Sequence, residues 1–578
     1  TQNGHSKDIR QYPSNILAYD AKDMRYRFNW NAPVIASPHD YNTIYHGGNI
    51  LFKTTDGGLS WEEISPDLTR NEESKQGPGG APITNEGAGG ENYNTLSYVI
   101  ESIHEKGVIY TGSDCGLVHI TKDGGKTWEN ITPAGLPESL IQSIEVSPHE
   151  KGTAYVAATR YKFNEFSNMS FKTIDYGKTW TKIDAGVDKD DFIKVIREDR
   201  KMKGLLYGGA ERGFYISFNG GSNWQKLQLN LPVVPVTDIA FADNDMVVST
   251  AGRAFWILDD LSALQQSKGN FSGMKIYSPK PTYKYEGYTP SWMDLPPGIG
   301  QNPETGVILD YYLPEKVDSL EVTLEILDGS GKVIRFYSSI KDDNFKPFSG
   351  GPSPEQVIPS KKGLNRFAWN FRGETLLDIP NAFVYGDYSG HRVAPGKYRA
   401  RLSYNGAVSE TEIEVVQDPN LKNISSQHWK DQQKLLEKAA LSITDIHQSV
   451  NDMRKVKSQI EHHNSLLKDK EDAKALYQAG QDLIQKLVDW EAKLVETRQA
   501  NFQDVINFPS QLNAQYFDLR STVDVHDPRL TAGSKQRLLD LDEEWAGYKS
   551  DLKLLIKNDI WEYNEKFKAQ NLPAVIIN

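Results

Sequence analysis

The chain has 578 residues, of which 38% are hydrophobic and 25% charged, with a formal net charge of −12. That length exceeds one hydrophobic core and predicts three or four domains of an ordinary folded composition. The acidic balance, without a stripe dense in Lys or Arg, argues against binding nucleic acid. No run of about eighteen apolar residues occurs, so no transmembrane segment is expected. Cys115 stands alone, which excludes an intramolecular disulfide and a thiolate metal cluster. The start, Thr1-Gln2-Asn3-Gly4, lacks the basic and apolar regions of a signal peptide, as a mature or truncated chain would.

In chain order, four segments share the pattern Ser/Thr-x-Asp-x-Gly-x-x-Trp: Thr54 to Trp61, Thr121 to Trp128, Thr173 to Trp180, and Ser217 to Trp224, where Asn219 replaces the aspartate. Each sits between short β-branched or aromatic runs and so predicts a hairpin turn. Asp56 can accept hydrogen bonds from its own loop, Gly58 supplies a positive φ, and Trp61 has the bulk to wedge between sheets. Upstream of each box come an apolar strand, a Tyr-bearing strand and a strand leading into the box. With the strand after the box this makes four per unit, one propeller blade. A fifth unit without a box covers Val236 to Phe241, Met246 to Val248 and Phe255 to Leu258. The fold class expected is mainly β: about five Asp-box β-propeller blades over residues 1–267. Five blades rarely close a ring, so upstream blades or an N-terminal companion chain are expected to complete it, and the chain is expected to be the C-terminal portion of a longer protein.

Residues 268–304, rich in Pro, Gly and Tyr, read as a linker. Period-two alternation over 305–418 predicts an immunoglobulin-like β-sandwich. Helix formers dominate 419–578. Leu436, Ala439, Ile443, Ile446, Val450, Met453 and Ile460 form one apolar stripe, interrupted at Lys457. Leu476 to Leu494 and Leu538 to Leu555 carry two more, which predicts an antiparallel helical bundle.

The Asp boxes resemble those of sialidases, sortilin-type receptors and tandem-propeller xyloglucanases. Ser37-Pro38-His39-Asp40, Tyr45 to Asn49, Ile64 to Arg70, Gly252 to Asp260 and Asn365 to Trp369 carry a closer resemblance, to exported bacterial sortilin-like or BNR-repeat glycosyl hydrolase proteins. It spans nearly the whole chain. It implies export to the periplasm, outer membrane surface or exterior, and further blades at the N-terminus.

The boxes occupy the turn between third and fourth strands, so Asp56, Asp123 and Asp175 read as structural. The opposite face collects the turns between second and third strands and the links between blades. There the expected ligand-binding set is His46, Asn49, Arg160, Tyr161, Arg212 and Arg253, with Asp67, Arg70 and Cys115 beside it. A glycoside hydrolase needs two carboxylates, and Asp114 with Glu211 is the catalytic pair the sequence nominates. The alternative is that these are rim charges and ion pairs between blades. No metal-ligand spacing or phosphate-loop pattern appears, so no metal or cofactor is expected. The function expected is a non-catalytic binding or scaffold protein of the bacterial cell surface that uses the propeller's loop face to hold a protein, peptide or glycan; the alternative is a glycoside hydrolase acting on a polysaccharide in the propeller cleft.

Overall fold

The computed structural model describes residue 4 and residues 6–77, 91–285, 300, 302–314, 320–569 and 574–576. Residues 78–90, with the glycine-rich stretches of the long link after the first box, lie outside them, as do 286–299 of the expected linker. The chain divides into two compact units, Thr1–Asn270 and Phe271–Asn578.

Among the described residues the first unit is built from five antiparallel sheets, each a meander of consecutive strands. Blade 1 is β1 (Val34–Ser37), β2 (Asp40–Gly47), β3 (Leu51–Thr54) and β4 (Glu62–Glu63); blade 2 is β5 (Leu96–Glu101), β6 (Ile109–Ser113), β7 (Val118–Thr121) and β8 (Glu129–Asn130). Blade 3 is β9 (Leu140–Val146), β10 (Ala154–Arg160), β11 (Glu165–Thr173) and β12 (Thr181–Lys182). Blade 4 is β13 (Ile193–Glu198), β14 (Leu206–Ala210), β15 (Phe214–Ser217) and β16 (Gln225–Lys226), and blade 5 has three strands, β17 (Val236–Ala242), β18 (Asp245–Thr250) and β19 (Phe255–Leu258). The helix α1 (Ser262–Ser267) follows. The sheets pack in series, β5 on β1 and β9, and β13 on β10 and β17. Among the described residues no comparable packing joins blade 5 to blade 1. Val34 and Phe255, on those two blades, stay 61% and 75% exposed.

The core lies between sheets rather than within any one of them. Tyr45, Leu51 and Ile64 of blade 1 meet Leu96, Val99 and Ile109 of blade 2. Tyr110, Val118 and Ile131 of blade 2 meet Ile141, Ile144 and Val156 of blade 3. Each box stitches this seam. In the first, Asp56 accepts from Thr54 Oγ1 (2.8 Å), Ser60 N–H (3.0 Å) and Ser60 Oγ (2.6 Å). Those hydrogen bonds, led by the Ser60 hydroxyl, hold its carboxyl at about 2. The turn so fixed aims the tryptophan backwards. Trp128 Nε1 donates to the Ile64 carbonyl at 2.8 Å, Trp180 to Ile131 at 2.6 Å and Trp224 to Ile183 at 2.9 Å, each on the preceding blade. Gly125 allows the approach: its φ is +101°, and a Cβ there would lie 2.5 Å from the Ile64 oxygen. Trp61 makes the same bond to Ile9 (2.8 Å), so the segment before blade 1 supplies the residue that a preceding blade supplies elsewhere.

A second series of ties runs along the turns between first and second strands. Ser37-Pro38-His39, Ser102-Ile103-His104 and Ser147-Pro148-His149 repeat a Ser-x-His pattern. The His39 ring donates to the Ser102 carbonyl (2.8 Å), His104 to Ser147 (3.0 Å) and His149 to Asp199 (2.7 Å), again blade to blade. At the inner strands, the nearly buried Arg197 of β13 donates to Tyr98 of blade 2 (3.0 Å) and to Asp238 (2.6 Å) and the Ile239 carbonyl (3.2 Å) of blade 5. It also faces Glu145 of blade 3 at 3.7 Å. One guanidinium thus holds four blades together.

The second unit opens with two facing sheets. One comprises β20 (Lys275–Ile276), β22 (Val307–Leu313) and β25 (Gly363–Trp369) in that order; the other runs β21 (Thr282–Lys284), β27 (Ala407–Gln417), β26 (Gly396–Tyr404), β23 (Val322–Leu327), β24 (Val333–Ser338). Alternate residues Val307, Leu309, Tyr311, Leu324, Ile326 and Leu402 fill the space between them. β20 and β21 fall in the stretch expected as linker, and β21 pairs with β27 in parallel. Such short strands carry no alternation of their own to read.

The helices are α2 (Ser426–Leu467), α3 (Lys474–Glu491), α4 (Leu512–Val523), α5 (Ala532–Leu554) and α6 (Trp561–Lys568), with a π-helical turn over Leu555–Ile560 between the last two. Ser425 opens α2 with a capping box shared with His428. The seam of α2 passes through buried Val456 at the interruption by Lys457. The sequence reading missed α4, whose Leu512, Tyr516, Phe517, Leu519, Arg520 and Val523 are all buried, so no amphipathic stripe announces it. α3 ends before Leu494, which is buried all the same.

Trp224 is 1% exposed, so Trp224→Phe leaves the Ile183 carbonyl without its partner in a dry seam. The expected cost is about 1–3 kcal/mol, read as a lower urea midpoint of the propeller unit; an unchanged midpoint would show that the indole only fills space.

Candidate functional site

The turns between second and third strands form the loop face opposite the boxes. In blade 2 that turn is tight. Gly116 has φ +91°, and a Cβ there would stand 2.8–2.9 Å from Ser139 atoms of the next link. Beside it Asp114 is clamped by Thr95, whose N–H donates to Oδ1 at 3.0 Å and whose hydroxyl donates to Oδ2 at 2.9 Å. The Asp114 side chain is only partly exposed, and burial pushes its carboxyl up to about 7 against the pull of Thr95 and Lys162. Cys115 is fully buried, contacts the Arg70 N–H (3.3 Å) and Ser113 Oγ (3.1 Å), and is pushed up to about 11 by burial. It serves packing; its carbonyl accepts from Arg70 Nε (2.8 Å) and orients that guanidinium.

Around Asp114 the fold gathers residues the sequence reading had not nominated. Glu138, in the link between blades 2 and 3, receives Lys75 Nζ on both oxygens (2.7 and 2.8 Å) and the Tyr93 hydroxyl on Oε1. Burial would raise the Glu138 carboxyl, but Lys75 and Tyr93 outweigh it and hold it below the usual range. Burial first, then Glu138, raises the Tyr93 phenol, and Asp114 adds to the rise, so all three groups share one field. Arg160 joins them by donating to the Glu138 carbonyl, while its Nε bonds Glu165 at 2.6 Å. Two carboxyl groups on one loop cluster therefore have their proton affinities driven in opposite directions.

The other nominated residues fall elsewhere. Glu211 pairs with Lys194 at 3.1 Å, and its charge helps burial raise the Tyr161 phenol. The Tyr161 ring stacks parallel to Phe192, centroids 6.2 Å apart. Arg160 and Tyr161, adjacent in sequence, thus reach two neighbouring groups, one with Asp114 and Glu138 and the other with Glu211. Arg212 is exposed and gives its N–H to Asp191 at 2.9 Å. Arg253 is exposed: its N–H donates to Thr250 Oγ1 (3.2 Å), its guanidinium to the Gly252 carbonyl (2.8 Å), and its carbonyl accepts from Trp256 Nε1 (3.0 Å). His46 points from β2 into a packed cluster, stacked on Phe28 (5.0 Å) and hydrogen-bonded to Gln11, and burial lowers its affinity for a proton. Asn49 is buried and acts as a brace, accepting from Arg27 N–H (3.0 Å) and donating to Asp67 (3.0 Å). His46 and Asn49 were nominated because they flank a loop-face turn, but in this blade the segment before β1 folds over them.

Among the described residues no helix is long and apolar enough to cross a membrane. Nor, among them, does any group of three His, Cys, Asp or Glu converge as metal ligands would.

Asp114 carries a stability signature. Its folded value near 7 lies above the ordinary 3.8, so the folded state binds the proton more tightly and its contribution falls as pH rises between those values. Asp114→Asn keeps an acceptor for Thr95 and should flatten that slope, seen as a smaller drop in urea midpoint from pH 5 to pH 8; parallel curves for both proteins would refute the raised value.

A family model described as Sortilin, neurotensin receptor 3 (Sortilin-Vps10) matches residues 116–254. A probable oligoxyloglucan-reducing end-specific xyloglucanase of Neosartorya fischeri is 23% identical over 417 residues, covering 66% of this chain and 44% of its own length. The chain thus matches less than half of that relative. Among solved structures, an ancestral GH74 enzyme aligns at 14% identity and TM-score 0.32, over 58% of this chain and 40% of its own. The GH74 xyloglucanase of Xanthomonas campestris aligns at 15% and 0.31, over 39% and 36%. YCF48 bound to D1 peptide aligns at 19% and 0.27, over 43% and 72%. The five-sheet unit described above is a propeller segment of the Asp-box type, and its residues 116–254 are similar to the Sortilin-Vps10 family model.

Proposed function

We propose that the propeller unit is a glycan-acting site of glycoside hydrolase type, with Asp114 as the proton donor on the loop face between blades 2 and 3. The observation that carries this reading is the opposed pair of carboxyls, Asp114 pushed up to about 7 and Glu138 held low. Hydrolysis of a glycosidic bond asks for that division, one carboxyl keeping its proton for the leaving oxygen while another stays ionised. Glu138 takes the partner role for which the sequence had nominated Glu211; Glu211 lies in the neighbouring group with Tyr161 and its ring platform. Arg160 and Arg70 supply donors for sugar hydroxyls. The relative named as a xyloglucanase sets the substrate class to try first, a xyloglucan oligosaccharide. The reading includes export from a bacterial cell, upstream blades or an N-terminal companion chain that complete the propeller, and a division into propeller (1–267), linker (268–304), immunoglobulin-like sandwich (305–418) and helical bundle (419–578), the last two serving as docking modules.

The second reading, a non-catalytic scaffold that binds a peptide, protein or glycan, draws on a specific feature. Both Glu138 oxygens are engaged by Lys75, and Arg197 fills the inner strands where an axial cleft would open.

The test is turnover on a panel of xyloglucan and related β-glucan oligosaccharides, with binding followed by calorimetry. Hydrolysis should decline above pH 7 as Asp114 loses its proton. Asp114→Asn should lower kcat by about 10²–10⁴-fold, Glu138→Gln should lower it comparably, and Glu211→Gln by much less. Binding without turnover by the unaltered protein selects the scaffold reading, and turnover that survives Asp114→Asn removes Asp114 from the chemistry.

A further inference from the structure

The second unit contains a cavity of about 220 Å³ between the segment after β25 and the C-terminal turn of α4, lined by Arg372, Asp387, Arg392, Arg520 and Asp524 among others. In a chain with twelve excess negative charges, three guanidinium groups against two carboxylates is a local reversal of sign. The arginines are held in place by backbone. Arg520 is 4% exposed, and donates from Nη1 to the Asp387 carbonyl (2.9 Å) and from Nη2 to the Ser389 carbonyl. Arg372 donates to the Gly390 carbonyl at 2.8 Å and meets Asp524 at 3.4 Å and Asp387 at 3.7 Å. These two ion pairs are long for charge-assisted bonds, which normally close to about 2.7–2.9 Å. They leave Arg372 incompletely neutralised.

One geometric observation points to an anion. The Nε–H of Arg520 has no hydrogen-bond partner among the described residues, although it is buried. A buried donor on a charged group seldom goes unsatisfied. The same charges bear on His391: burial, then the positive charge of Arg520, with Lys284 and Arg372 adding, pushes its ring down to about 4 against the pull of Asp524. His391 is therefore neutral near pH 7, and the positive potential comes from the guanidinium groups and Lys284. Lys284 is 3% exposed and lies over the Trp429 ring at 4.5 Å. Planar donor forks arranged around a small cavity match the oxygens of a tetrahedral oxyanion.

We infer that this cavity binds a phosphate or sulfate group, with Arg520 and Arg372 as its principal donors. The reading is independent of the propeller's proposed chemistry, because every residue in it belongs to the second unit. The simpler role, arginines that only fasten the 387–390 backbone to α4, predicts no anion dependence and is what the experiment separates.

The test uses the full chain. Thermal unfolding and calorimetric titration with sodium phosphate or sodium sulfate are compared with sodium chloride at equal ionic strength. Glucose 6-phosphate and N-acetylglucosamine 6-sulfate form a second arm. Phosphate or sulfate should raise the unfolding midpoint where chloride does not. Arg372→Gln should weaken binding at least tenfold, whereas Asp387→Asn, which removes a competing negative charge from an exposed position, should tighten it severalfold. Should Arg372→Gln fail to fold, Asp387→Asn still decides, because a purely structural cluster gives no tighter binding. Sugar esters binding more tightly than the free ions identify a modified saccharide as the source, and the reverse identifies the free ion. Equal responses to chloride, phosphate and sulfate, or an affinity unmoved by Asp387→Asn, overturn the inference.

Discussion

A tryptophan indole that reaches back to a carbonyl on the preceding blade is the contact on which the propeller unit depends. Single four-stranded sheets bury too little to persist alone; they become stable when neighbours share a seam. The seam is apolar, yet it must cover the carbonyl that ends each fourth strand, and an indole N–H meets both demands at once. Asp56 and Asp123 sit at the surface and do their work locally: they fix the turn so that the indole points into the seam. Their low proton affinity follows from hydrogen bonds within the loop, which is the signature of a brace.

The opposite face gathers the ionisable cluster around Asp114 and Glu138. Boxes and Ser-x-His ties occupy the turns on one side, and the links between blades gather on the other. There the links between blades bring Lys75, Tyr93 and Glu138 to Asp114 from three separate stretches of chain. The field they create is local: Asp114 loses solvent without gaining a strong cation, while Glu138 gains Lys75 directly. Opposite proton affinities in neighbouring carboxyls result from that asymmetry.

Much of this was legible in the sequence, for reasons tied to period. The Asp-box repeat and its upstream strands gave five blades, because each motif residue has a turn or seam role that no other type fills well. Asp114 was visible because it sits in a repeated turn. Glu138 was not, since nothing about a lone glutamate in a Pro-containing link foretells that Lys75 will meet it 63 residues away. The Ser-x-His ties were present in the letters but short enough to pass as ordinary turns. His46 and Asn49 looked like loop-face residues by position; the segment before β1 covers them, and that segment carries no repeat. In the second unit the amphipathic stripes announced α2, α3 and α5, while α4 stayed hidden because its buried residues, an arginine among them, surround it.

The propeller's turns divide in two: boxes fasten on one face, and on the other Asp114 and Glu138 are driven to opposite proton affinities. Hydrogen–deuterium exchange on the full chain tests this division through two variants, Asp123→Ala in a box and Asp114→Asn on the loop face. The account predicts faster exchange at the seam of blades 1 and 2 for Asp123→Ala, with unchanged strand protection for Asp114→Asn. Strands that loosen equally in both variants, or a box variant with full protection, would contradict it.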